Sequence, residues 1–234
     1  MKYLDSSSLF QTVDNVSEAL LFGLNIREKE KNEIADFIIH RQVKEAYAGT
    51  FAPTEYDSNH QLILFTGEKI KTRAGRYHMI GEEASRILRK LNISEADVKN
   101  ALQKADTGLR NKIEGLLHDN RYEFGMYCCK SCSCALWINL SSGGLYDDSR
   151  MLEAGLRYLK RYRDNKGSWK GFPGNYVLYV LNEIDPDLAM EELKYAGLSV
   201  ERRYNRKKAE ETKYQMRRNF IYEQILNKIN RYSN

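Results

Sequence analysis

Shifted by 42 residues, the middle of the chain lies over itself. Leu109 falls on Met151, Leu116 on Tyr158, Leu117 on Leu159, Gly125 on Gly167, Tyr127 on Trp169 and Leu136 on Leu178. Each copy reads as an amphipathic helix, a glycine–aromatic loop and an apolar helix. One such unit cannot bury its apolar face alone, so the repeat predicts stacked helical hairpins. Only three prolines (Pro53, Pro173 and Pro186) interrupt a chain rich in helix formers. The expected fold is therefore mainly all-α, a single mostly helical domain over 1–234. Its N-terminal part, 1–105, packs with the repeat part, 106–197, and a C-terminal helix covers 204–232.

Taken in order, residues 1–14 are polar and read as irregular. Residues 16–24 read as a short helix stopped near Gly23. Asn25 then caps a helix to about Glu45, with Ile34, Phe37, Ile38 and Val43 at helical spacing. Gly49 and Pro53 break the chain over 47–54. Residues 61–72 read as a small β-hairpin with Gly67 at its turn. Helical spacing returns over 79–91, and Ser94 caps a helix to about Ala105. Residues 131–140 and 176–184 are the apolar helices of the two copies, and the second is apolar nearly all round, which places it inside. Asp185-Pro186 restarts the chain as a helix that Gly197 ends. Residues 199–205 read as a charged linker, followed by a last long helix over 207–232.

The run Leu156-Arg157-Tyr158-Leu159-Lys160, followed by Arg163-Asp164-Asn165-Lys166-Gly167-Ser168-Trp169-Lys170-Gly171-Phe172, resembles repeats of the α/α-toroid proteins, the terpenoid cyclases and protein prenyltransferases. The resemblance implies a partial toroid, since a full one needs about a dozen helices and the pattern here supplies about eight or nine. It carries no activity across. The cyclases' Asp-rich acid motif is missing, and the zinc motif of the prenyltransferases has no counterpart. Phe51-Ala52-Pro53-Thr54, Phe65-Thr66-Gly67-Glu68 and the cysteine run followed by Gly171-Phe172-Pro173 are also similar to a bacterial family with no assigned activity.

All four cysteines, Cys128, Cys129, Cys132 and Cys134, fall within seven residues, so they cannot staple distant parts of a fold. That usage fits a reducing, cytoplasmic setting. Cys129 and Cys132 form a Cys-x-x-Cys pair at the start of a helix, where exposed amides, the helix dipole and Lys130 favour a thiolate. Three readings stay open for the cluster. The cysteines pack as small apolar residues, bind a metal such as zinc, or react as thiols. A metal site needs further ligands, from His78 or His118 or from Cys128 and Cys134, and adjacent Cys128 and Cys129 point in different directions.

His78 and Glu82, with Glu83 beside them, share one helical face and read first as a surface pair, second as acid–base groups. Lys71, Arg73 and Arg76 read as a solvated loop or an anion site. Sixteen tyrosines suit helix interfaces or a ligand groove, and Tyr127, Trp169, Phe172 and Tyr176 are the candidates to line one. The net charge of +5 permits a polyanionic partner without demanding one. The densest basic stretch runs through Arg202, Arg203, Arg206, Lys207, Lys208, Lys213, Arg217 and Arg218, diluted by Glu201, Glu210, Glu211 and Glu223. No stretch suits a membrane span. The function classes left are a binding protein for a small molecule or protein partner in the aromatic groove, a metal or thiol-redox protein, and a nucleic-acid binder through the last helix.

Overall fold

The structure, a computed structural model, describes residues 2–43, 50–70, 72–119, 122–144, 148–206 and 212–232. Its described residues form ten helices and no strand: α1 (Leu9–Leu21), α2 (Glu28–Ile39), α3 (Glu55–Asn59), α4 (Arg73–Leu91), α5 (Ala96–His118), α6 (Lys130–Leu140), α7 (Asp148–Lys160), α8 (Gly174–Glu183), α9 (Pro186–Tyr204) and α10 (Lys213–Arg231). The mainly helical class is therefore as expected.

Over residues 2–14 the chain is not irregular throughout, because α1 starts at Leu9. Ser8 caps it by accepting from Gln11 N–H at 2.9 Å, and the buried Asp57 carboxylate accepts from Leu9 N–H at 2.9 Å and Phe10 N–H at 3.3 Å. A carboxylate at a helix N-terminus satisfies free amides and meets the positive end of the dipole. Its partner lies 49 residues from Ser8, beyond any local capping pattern.

The segment 61–70 is a tight turn rather than the expected β-hairpin. It holds a single bridge between Ile63 and Lys69, with Gly67 at φ 100°. Inward and outward residues alternate over 61–64, but burial runs on unbroken through Leu64, Phe65 and Thr66, so the pairing stops at that one bridge. The break expected over 47–54 lies partly outside the described residues.

Two helices run on where a stop was expected. The one after Ser94 continues past Ala105 to His118. The one after Asp185 passes through Gly197 and takes up the supposed linker 199–205 as far as Tyr204. Gly197 marks a close crossing instead, since a Cβ there would sit 3.4 Å from the Ile229 side chain of α10.

α4 is the central helix. It packs along α6 and also meets α1, α2 and α5. α6 contacts α7 and α8, and α9 contacts α7, α8 and α10. Both apolar helices are inside: residues 132–140 of α6 and 176–182 of α8 are buried throughout. α6 and α7 cross at two glycines. Gly125 has φ 87° and its carbonyl accepts from Trp137 Nε1–H at 2.7 Å, while a Cβ on Gly155 would collide with the Trp137 indole. The indole thus closes the elbow between α5 and α6 and seats α7.

Candidate metal centre

The loop before α6 and the middle of α4 bring four sulfur and nitrogen groups together. Cys129 is the N-cap of α6, with extended φ −157° and ψ 170°. Its sulfur accepts from the Cys132 N–H at 3.4 Å, and its carbonyl accepts from the Ser133 N–H at 2.8 Å. Ser133 ties the loop twice. Its hydroxyl donates to the Cys129 carbonyl at 2.9 Å and accepts from the Tyr127 N–H at 3.0 Å. Cys128 is thereby held against α4, where its sulfur lies 2.7 Å from His78 Nδ1. The Tyr127 ring packs against the imidazole with centroids 4.7 Å apart.

Cys129 Sγ and Cys132 Sγ are 3.2 Å apart. The potential ligand atoms of His78, Cys128 and Cys132 all lie within 4.8 Å of one another. The two adjacent cysteines have different partners: Cys128 joins His78 and Cys132 in the ligand group, whereas Cys129 lies outside it and approaches Cys132. Because Cys129 is extended, its side chain folds back over the first turn of α6 instead of pointing away.

The four cysteines differ in setting. Cys129 is exposed, Cys128 half-buried, and Cys132 and Cys134 buried, all as free thiols. Cys134 is outside the ligand group and serves the core, where burial lifts its thiol far above the ordinary value. In the trio, S–H groups of Cys128 and Cys132 pointing at Cys129 hold that thiol well below its usual range, aided by backbone amides of Cys132 and Ser131. The same contacts, with burial, push Cys128 and Cys132 up. Burial lowers His78 to about 4, so its ring is neutral at pH 7, the state in which a ring nitrogen can bind a metal.

His78 and Glu82 are not a surface pair. Both are buried, because α4 is enclosed on several sides. Glu82 accepts from Asn139 Nδ2 at 2.6 Å and borders a cavity of about 10 Å³ with Tyr127, Asp106 and Asn139. Burial lifts its carboxyl to about 7. His118, the other histidine considered as a ligand, is exposed at the end of α5 beside Asp119.

The four aromatic candidates are buried among different neighbours. Tyr127 faces His78. Trp169 donates to Glu192 at 2.7 Å, and Phe172 stacks on Trp137 with centroids 6.0 Å apart. Tyr176 donates to Glu83 at 2.6 Å and lines a separate cavity of about 20 Å³ with Phe65 and Met79. Of the other basic candidates, Arg76 donates to the Ser58 carbonyl and Arg203 to Ser168 and Asn175, while Arg217 is buried against Asp14 and Glu18. Lys71, Lys207 and Lys208 lie outside the described residues.

Among the described residues no helix is long and apolar enough to cross a membrane. Comparison with protein-family models, curated proteins and solved structures finds no match to this chain. The residues themselves therefore carry the functional reading. His78 is the member of the centre that sequence spacing did not single out over His118, since it lies 50 residues from Cys128. Helical spacing puts His78 on the side of α4 away from the stripe Ile80, Ala84 and Ile87, so the sequence pattern carried no signal of its burial.

Proposed function

We propose that this protein binds a thiophilic divalent cation, zinc, through His78 Nδ1 and the sulfurs of Cys128, Cys132 and Cys129. The observation that carries the reading is the convergence of a neutral imidazole with the thiols of Cys128 and Cys132, whose ligand atoms lie within 4.8 Å of one another; Cys129 stands outside that group but 3.2 Å from Cys132, and is the proposed fourth ligand. Three thiolates and one imidazole are a recurrent zinc set, and soft sulfur ligands select against magnesium and calcium. A tetrahedral zinc with bonds of about 2.0–2.3 Å needs ligand–ligand edges of about 3.5–3.8 Å. The His78–Cys128 and Cys129–Cys132 separations of 2.7 and 3.2 Å would open to that range, and Cys129, outside the 4.8 Å group of the other three, would swing inward to complete the shell. Binding displaces the thiol protons and joins α4 to the N-terminus of α6. It thereby pins the helix pair at the centre of the molecule. Exposed Cys129 is the ligand that solvent or a partner reaches first.

The same chain carries two similar elbows. Gly125 at φ 87° and Gly167 at φ 79° occupy matching elbows, Tyr127 and Trp169 are both buried after them, and α6 packs on α8. These features support two copies of a hairpin in a partial α/α toroid, with the metal set into the first elbow. Four free thiols support a reducing, cytoplasmic setting.

The test is metal analysis of the full chain purified without chelator and given zinc. The reading expects one tightly held zinc per chain. Cys132→Ser and His78→Ala should each lose it while circular dichroism stays helical. A folded wild-type chain that takes up no zinc after full reduction would overturn the reading.

A further inference from the structure

We propose that Cys129 and Cys132 are a reversible dithiol–disulfide couple, so that a hydroperoxide both oxidises the centre and discharges its metal. The discharge rests on the zinc reading above; the couple itself does not.

Three geometric facts single out this pair. Cys129 is the exposed thiol of the four, so an oxidant dissolved in water meets it first. Cys132 is fully buried, with its sulfur 3.2 Å away, so it is shielded from the oxidant but in reach of Cys129. A disulfide needs the sulfurs to close to about 2.05 Å, a movement of about 1 Å. Cys129 lies outside the helix at an extended φ, so its side chain can close that gap without unwinding α6. Cys128 is the poorer partner. It adjoins Cys129 through one peptide bond, where a disulfide closes a cramped eight-membered ring, and its sulfur is engaged by His78.

The Cys129 thiolate attacks one peroxide oxygen and breaks the O–O bond. Cys129 becomes a sulfenic acid, and the departing alkoxide or hydroxide takes a proton from water. The Cys132 sulfur, as thiolate, then attacks the Cys129 sulfur. The S–S bond forms, the S–O bond breaks, and hydroxide leaves and is protonated. In sum, two thiols and one hydroperoxide give a disulfide, an alcohol (or water) and one water. The sulfurs lose two electrons and the O–O bond gains them. A disulfide sulfur is a poor zinc ligand, so two of the four ligands vanish in this step and the ion leaves as Zn²⁺. A dithiol reductant reverses it by exchange at the disulfide.

The experiment uses the full, zinc-loaded chain and hydrogen peroxide. Released zinc is followed with a metallochromic dye. Remaining thiols are blocked under denaturing conditions, and the cross-linked peptide is mapped by mass spectrometry. The expected result is loss of two blockable thiols per chain, a Cys129–Cys132 link, zinc release at the same rate, and recovery on reduction. Cys129→Ser should slow thiol loss at least tenfold, whereas Cys134→Ala should leave the rate unchanged. A link between other cysteines, or oxidation of Cys129 to sulfinic acid with no link, overturns the couple. If Cys129→Ser does not fold, the wild-type map decides alone. A chain that forms the link but never held zinc supports the couple and overturns the metal reading instead.

Discussion

Glu82 shows how far a single residue's setting can differ from its type. Folded, its carboxyl holds a proton up to about pH 7, because burial outweighs the Asn139 hydrogen bond and the Arg89 charge, while Asp106 and Glu83 nearby add repulsion. Unfolded, it titrates near 4.5. A raised pKa means that its favourable share is full below pH 4.5 and is lost as pH rises through 7. The loss is about 3 kcal/mol. Glu82→Gln keeps an acceptor for Asn139 and removes the titration. Urea denaturation should therefore find it close to wild type at pH 4.5 and more stable by about 3 kcal/mol at pH 8; equal stability at both would refute the assignment. At the metal, His78→Ala should weaken zinc binding by more than about a hundredfold, beyond the effect typical of losing an outer-shell partner. Cys134→Ala should leave affinity unchanged, as a competition titration with a chelator would show. The cysteine half of this centre was legible in the sequence because its residues are neighbours. The histidine half was not, because a histidine four residues from a glutamate looks alike on a solvated helix and on an enclosed one.

Helices were read best where their signals are local. Asp185-Pro186 and the apolar run of α8 mark their elements within a residue or two. Errors arose where distant groups decide. Asp57 starts α1 from far along the chain, and α10 crosses α9 at Gly197, a glycine that sequence alone reads as a stop. The 61–70 turn shows the same limit, since Phe65 settles on Tyr179 of α8, a partner far along the chain. The α6–α7 crossing makes a sharper test. Gly155→Ala puts a methyl against the Trp137 indole, and overpacking of this kind costs about 1–3 kcal/mol. Gly125→Ala adds a left-handed φ to a collision with the α7 backbone and should cost more. Thermal denaturation should rank wild type above Gly155→Ala and Gly155→Ala above Gly125→Ala; the reverse order of the two variants would mean that the elbow is not where the strain concentrates.

At the scale of the whole molecule, one buried ion cluster ties the last helix to the first. Arg217 holds both Asp14 carboxylate oxygens at 2.8 Å, Glu18 at 2.6 Å and the Phe65 carbonyl at 3.2 Å, with its guanidinium 4.2 Å from the centre of the Phe65 ring. Removing one partner strands buried charge, so Arg217→Met should lose about 3–5 kcal/mol, and adding Asp14→Asn should recover part of it in a double-mutant cycle. Additive losses would deny the coupling. α4 occupies the matching place at the centre, meeting α1, α2, α5 and α6, and it also carries the imidazole of the proposed metal site. The claim on which the functional account turns is the identity of the atoms around that metal. X-ray absorption at the zinc edge of the loaded chain reads them directly. The account predicts a four-coordinate shell of three sulfurs at about 2.3 Å and one nitrogen at about 2.0 Å, with the nitrogen replaced in His78→Ala. A shell of oxygen and nitrogen alone, or one that His78→Ala leaves unaltered, would contradict it.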